Sequence, residues 1–165
     1  MTEAAFRTLY NEFRDPLFRF GYRLTGSAEV AEDLVHDCFV GLFRGGFDER
    51  RGSPKTYLYG AMRNLCHKHF RDTGRETTEN AETDVATASG PLDAVLARET
   101  AAAVQSAVQA LPALQREALI LFEYEELTLE EISRIVEADV GAVKSRLHRA
   151  REALRKSLAM KEAAR

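Results

Sequence analysis

The chain has 165 residues, a formal net charge of −3 and 45% hydrophobic residues, with four prolines and no tryptophan. That length allows one domain or two small ones. No apolar run approaches the roughly 20 residues that span a bilayer, and the opening Met1-Thr-Glu-Ala-Ala-Phe-Arg7 lacks the basic-then-apolar pattern of a signal peptide. Long stretches mixing Ala, Leu, Glu and Arg, with few β-branched runs, predict an all-α fold in a soluble, cytoplasmic chain.

The elements follow in chain order. Phe6, Leu9, Tyr10 and Phe13 give a helix near residues 3–13 one apolar side. Asp15 and Pro16 look like the N-cap and first position of a new helix, whose apolar face is Leu17, Phe20 and Leu24. Thr25-Gly26-Ser27 closes it, and Ser27 caps a helix from about Ala28 to Phe43. Gly45-Gly46 breaks that helix, a polar loop runs from Phe47 to Gly52, and Ser53-Pro54 opens a further helix to about Arg71. Thr73 to Gly90 has almost nothing to bury and predicts a flexible acidic tether. Beyond Pro91 come a helix to about Ala110, a Leu111-Pro112 joint and another helix through Phe122. The fold class is therefore two small helical domains, 1–72 and 92–165, joined by a linker over 73–91.

Residues 128–151 carry the most information. Thr128 and Glu131 form a capping box for a short acidic helix with Ile132, Ile135 and Val136 on its apolar side. After a tight turn, Asp139 caps a long helix whose stripe is Val140, Val143, Leu147, Ala150, Leu154 and Leu158. At about 100° per residue, Ala142, Ser145, Arg149 and Lys156 point away from that stripe, with His148 nearby. Lys144, Arg151 and Arg155 flank them on one side and Arg146 on the other. A basic helix behind an acidic one is a helix-turn-helix suited to the major groove. A solvated helix whose cations suit its dipole is the plainer alternative. The sorting of charge between adjacent helices favours DNA. The stretch from Glu117 to Asp139 holds eight acids and only Arg134, whereas Val140 to Lys161 holds one acid, Glu152. The net charge thus hides a partition that matters more for steering than the sum does.

Two cysteines, Cys38 and Cys66, do not make a disulfide framework. Cys66, His67 and His69 invite a metal reading, but no second close pair completes a four-ligand site, so no metal and no cofactor are expected. No nucleophile–base–orienter arrangement is visible, so no catalytic residue is assigned and no small-molecule substrate is expected.

Five segments in order carry a family resemblance. They are Leu24-Thr-Gly-Ser27; Ala31-Glu-Asp-Leu-Val-His-Asp-Cys-Phe39; Tyr57-Leu with Arg63-Asn-Leu-Cys66 and Arg71; Leu111-Pro-Ala-Leu-Gln-Arg-Glu-Ala-Leu119; and Val140-Gly-Ala-Val-Lys-Ser-Arg-Leu-His-Arg-Ala-Arg-Glu-Ala-Leu154. Together they resemble the extracytoplasmic-function group of bacterial sigma factors. The resemblance implies a non-catalytic subunit that docks on core RNA polymerase and directs it to promoter DNA, restrained by an anti-sigma protein. It implies that the first block binds the β′ clamp coiled coil, through Asp33, Leu34, His36, Asp37 and Phe39. It implies that the same block melts the minus-ten element through Arg50, Arg51, Lys55, Tyr59, Arg63, Asn64, His67 and Arg71. The second block would bind the β flap and read the minus-thirty-five element through Lys144, Ser145, Arg146, His148, Arg149 and Arg151. Melting needs a pocket for an unstacked base and cations for the single strand. Tyr57 is expected to be mostly buried, and Tyr59 is left open between core and surface.

The chain departs from the family pattern at His36, often Gln, at Phe43 and Tyr57, often Trp, and at Lys68, often Asp. In the turn Glu137 stands where Gly is usual. Either a left-handed residue costs about 1 kcal/mol there or the turn is built differently. Two other functions stay open: a sigma mimic that sequesters an anti-sigma protein through the same surfaces, and a helix-turn-helix repressor with an unrelated first domain. The mimic predicts loss of Lys144, Arg146, Arg149 and Arg151, all present; the repressor needs a dimer seam that the sequence lacks.

Overall fold

The computed structural model describes residues 1–74 and 92–163. The tether assigned to 73–91 lies outside these residues from position 75 on. In the described part every regular element is helical: α1 (Glu3–Thr25), α2 (Ala28–Gly45), a 3₁₀ turn (Glu49–Arg51), α3 (Pro54–Thr73), α4 (Leu92–Gln109), α5 (Ala113–Leu119) continuing as a π turn (Ile120–Tyr124), α6 (Leu129–Val136) and α7 (Val140–Ala163).

The predicted joint at Asp15-Pro16 does not form. Pro16 lies inside α1, which runs unbroken to Thr25. Phe6, Phe13, Leu17, Phe20 and Leu24 hold one helical stripe across the proline, and the partners that bury it outweigh one missing backbone bond. The ring's fixed φ is itself helical, and Glu12, whose carbonyl loses the amide donor, is exposed. α1 stops at Gly26, at φ 74°, whose amide donates to the Tyr22 carbonyl at 2.7 Å. Ser27 then caps α2, its Oγ accepting from the Val30 amide at 3.2 Å. Ser53 caps α3 in the same way through the Thr56 amide, with Pro54 at the first position.

α1, α2 and α3 pack on one another around Leu17, Phe20, Leu42, Leu58 and Met62, all essentially inaccessible. Gly21 sits where α1 meets α2 and α3, and a Cβ there would displace the flexible end of the Met62 side chain. Cys38 and Cys66 are part of this core, and burial pushes both thiols up to about 12, so neither is a thiolate at neutral pH. In the second block α5 and α6 both pack on α7, around Ile120, Leu121, Ile132 and Val143. The two blocks also meet, with α3 against α6 and α1 against the π turn.

The capping box at Thr128 and Glu131 forms in both directions, at 3.1 Å each way. Asp139 Oδ1 accepts from the Ala142 amide at 2.7 Å, starting α7 as the sequence predicts. Between them Glu137 adopts the left-handed conformation, φ 54° and ψ 44°. Of the two possibilities for this turn, the strained residue is therefore the one observed. The Ala138 amide donates to the Ser133 carbonyl, and the Ser133 hydroxyl donates to that of Ala138. Glu137→Gly should stabilise the fold by about 0.5–1 kcal/mol, because glycine enters this region without a Cβ penalty. Urea melts check it, and an unchanged or lowered midpoint would show that the turn is not strained.

Candidate functional site

Two basic surfaces emerge, and they stand in opposite states. On α7, Lys144, Ser145, His148 and Arg149 are exposed. Arg151 is also exposed but donates to Glu123 at 2.8 Å, with its guanidinium 5.3 Å from the Phe122 ring centroid. Arg146 is half-buried, with Nη1 enclosed and lacking a hydrogen-bond partner. Arg155 pairs with Glu152 on its own helix at 2.9 Å. The outward face predicted for this helix is therefore present, with Arg151 held at its edge and Arg146 turned partly inward.

The second surface lies on α3. Lys55, Tyr59, Arg63 and His67 recur every fourth residue, so they form one slowly twisting stripe. This stripe is turned towards the second block and meets its acids at every step, with Tyr59 buried and Lys55 still 40% exposed along its side chain. Lys55 Nζ lies 3.2 Å from Glu131 Oε2. The Tyr59 hydroxyl donates to Glu125 Oε2 at 2.8 Å. Arg63 grips Glu117 with Nε 3.0 Å from both carboxylate oxygens and Nη2 2.9 Å from Oε1. His67 Nε2 completes the group 2.8 Å from Glu117 Oε2. Glu117 itself has no solvent exposure. A bidentate arginine with a further imidazole is the partner set that a buried carboxylate requires.

Other contacts join the blocks beside this stripe. Arg116 is buried, donating to the Leu24 carbonyl at 3.2 Å and the Leu111 carbonyl at 3.0 Å. Burial pulls its guanidinium below the usual value, and neighbouring Glu117 opposes that shift. Gln109 Nε2 donates to the Arg23 carbonyl. Arg23 lies over the Tyr124 ring, 4.3 Å from its centroid, and forms a long ion pair of 3.6 Å with Glu125. Burial holds the Glu125 carboxyl above the usual range, against the Tyr59 hydroxyl and Arg23, which pull it down.

The remaining predicted residues separate by exposure. Arg50, Asn64 and Arg71 are exposed near or along α3, whereas nothing is described of the Arg51 side chain. Tyr57, expected to be buried, is instead 37% exposed with its ring against Phe47, and Tyr59, left open between core and surface, is core at 3%. The cause is the direction of the Lys55–His67 stripe, which turns Tyr59 towards Phe20 and the second block. On α2, Asp33, His36 and Asp37 are exposed, while Leu34 and Phe39 are buried and serve packing. Phe39 stacks edge-on against Tyr10 at 5.0 Å and closes the floor of an aromatic groove of about 850 Å³ between α1 and α2. Phe6, Tyr10, Phe18 and Phe43 line the same groove, and Phe43 is 72% exposed.

Glu117, Glu125, Arg116 and Gln109 were not singled out from the sequence. The one cue to Glu117 was a carboxylate opening an otherwise apolar run, Glu117-Ala-Leu-Ile-Leu121. Glu125 had none, since its direction is set by the π turn, where its amide reaches the Ile120 carbonyl at 3.1 Å.

Comparison with known proteins gives this arrangement a class. Residues 9–76 match sigma-70 region 2, and residues 101–154 match sigma-70 region 4. The ECF RNA polymerase sigma factor SigW of Bacillus subtilis is 32% identical over 167 residues, 93% of this chain and 89% of that protein. The RNA polymerase sigma-H factor of Pseudomonas aeruginosa is 31% identical over 169 residues, 93% and 86% of the two chains. Among solved structures, the sigma factor RpoE of Bartonella quintana, in complex with the anti-sigma factor NepR, aligns with a TM-score of 0.70 at 25% identity, covering 94% of this chain and 97% of that one. CnrH, in complex with the cytosolic domain of CnrY, shares the fold with a TM-score of 0.73 at 20% identity over 96% and 90% of the chains. The chain belongs to the extracytoplasmic-function sigma factors. It is an alternative sigma factor, which binds core RNA polymerase and directs transcription from specific promoters. Among the described residues, no helix is long and apolar enough to cross a membrane.

Tyr59→Phe should destabilise the protein by about 1–3 kcal/mol, because the buried Glu125 Oε2 loses its donor. The hydroxyl favours the ionised carboxylate, whose folded value lies above the usual range, so the cost should be larger at pH 8 than at pH 5. Urea melts at both pH values measure it; a cost independent of pH would place the hydroxyl off the carboxylate.

Proposed function

We propose that the two blocks divide promoter recognition, with residues 1–72 binding the polymerase clamp and melting the minus-ten element, and residues 92–165 reading the minus-thirty-five element. The observation that carries this is the exposed cationic face of α7, with Lys144, Ser145, His148 and Arg149 in one outward arc behind a capped, sharply turned acidic helix. A helix presented in this way fits the major groove, and its cations displace counterions from the phosphates. The aromatic groove between α1 and α2, beside exposed Asp33, His36 and Asp37, offers apolar area and acids to a basic coiled coil of the clamp. Arg50, Asn64 and Arg71 are available to a single strand in the closed form, and Lys55, Tyr59, Arg63 and His67 join them once the second block moves away. Residues 73–91 serve as the acidic tether between the blocks.

An anti-sigma protein is the expected restraint, by likeness to the RpoE of Bartonella quintana, which was solved with the anti-sigma factor NepR. The factor acts in the cytoplasm, where the polymerase is, and contributes positioning and melting surfaces rather than catalytic groups. The retained cations of α7 favour a working factor over a mimic.

The test is transcription by purified core polymerase on a promoter library, with and without this protein. New start sites carrying shared minus-ten and minus-thirty-five elements are expected, and initiation nowhere beyond that of polymerase alone would refute the assignment. Arg149→Ala should weaken binding to an upstream-element duplex and lower the salt slope by about 0.9 per lost phosphate contact. An unchanged slope would move Arg149 off the DNA.

A further inference from the structure

We infer that Glu123 is a positioning residue for duplex recognition: with Phe122 it holds Arg151 in one place, so this arginine meets a phosphate only when α7 is seated in one register. The inference rests on the proposed reading of duplex DNA by α7. Arg151 Nη2 donates to Glu123 Oε1 at 2.8 Å, and its guanidinium lies 5.3 Å from the Phe122 ring centroid. Acid and ring are neighbours in the π turn, so one short segment outside α7 restrains the guanidinium twice. Lys144 and Arg149 are exposed on the same helix and, among the described residues, form no ion pair with a carboxylate. Arg155 pairs with Glu152 of its own helix. Arg151 is thus a cation whose direction is set from outside its own helix.

The pair itself adds little stability, because its side chains are 47% and 48% exposed and water screens their attraction. Its consequence lies at the DNA. Phosphate contacts fix a protein's register but carry no sequence information, and a flexible arginine finds a phosphate on any duplex. Arg151 lacks that freedom. Its Nη2 is committed to Glu123, and the donors left over are fixed in direction by the planar guanidinium. When the outward arc of α7 seats on its own sequence, the same phosphate arrives at those donors every time. On an unrelated duplex the register is not fixed, the restrained donors miss, and the Glu123 carboxylate repels the backbone that it faces. Glu123 therefore weakens non-specific binding more than specific binding, which raises the ratio between them.

The experiment uses the full chain as wild type, Glu123→Gln, Arg151→Ala and the double variant, all changed at exposed positions. Wild type first enriches a 30-base-pair duplex from a random pool. Each protein is then titrated, by fluorescence anisotropy over a range of salt concentrations, against the enriched duplex and the unselected pool, with helicity checked by circular dichroism. Glu123→Gln should bind the unselected pool on the order of fivefold tighter at about 0.1 M salt, with a slope steeper by about 0.9, the increment for one added phosphate contact. Its affinity for the enriched duplex should stay close to that of wild type, so the specificity ratio falls. Arg151→Ala should do the reverse, weakening the enriched duplex and sparing the pool. The double variant should lose the gain of Glu123→Gln. Equal affinities of Glu123→Gln and wild type for the pool would overturn the proposal, as would a loss in Arg151→Ala shared evenly by both duplexes. Should one single variant lose helicity, the other decides. Wild type that enriches no sequence would instead refute the reading of duplex DNA by α7, a failure separate from either of these.

Discussion

A carboxylate loses several kcal/mol of hydration on entering a protein interior, so a wholly buried one dictates its surroundings. Glu117 is in that position, and Arg63 and His67 of α3 supply what it needs. The other contacts between the blocks follow from this anchor. With α5 fixed against α3, Arg116 reaches the carbonyl that ends α1, the π turn aims Glu125 at Tyr59, and α6 brings its capping-box glutamate to Lys55. Such a pair stabilises weakly in net terms but is costly to break on one side only, so it favours two states over a continuum. A switchable contact between domains needs that property.

The charge partition seen along the sequence thus has two uses. Acids gathered between Glu117 and Asp139 leave α7 as a locally basic rod, and several of them also neutralise α3. One segment shapes both surfaces proposed to face DNA, leaving one accessible and covering the other. A chain with a net charge of −3 can bind DNA because its cations are arranged, not because they are in excess.

Local features were legible in the sequence because their causes are local. Caps at Ser27, Ser53, Thr128 and Asp139, the stripe through Val143, Leu147 and Ala150, and the outward arc of α7 all follow from spacing and side-chain chemistry. Pro16 misled because proline's local preference for a helix start was outweighed by an apolar stripe that continues on both sides of it. Tyr57 was misjudged and Tyr59 left open because two sides of a helix with partners on both cannot be assigned without knowing the second partner. The pairing of Arg63 with Glu117 joins residues 54 positions apart, and no periodicity carries that information. Family likeness supplied the roles of these residues; only the three-dimensional arrangement shows that four of the strand-facing candidates are already engaged.

The central claim is that the Arg63–Glu117 pair couples the blocks. A double-mutant cycle on Arg63→Ala and Glu117→Gln, read by equilibrium urea unfolding of the full chain, measures that coupling free of the cost of either change alone. The account predicts a coupling energy of about 2–3 kcal/mol, as for a desolvated bidentate pair. Strictly additive single and double variants would contradict it, because the two side chains would then contribute nothing to each other's stability.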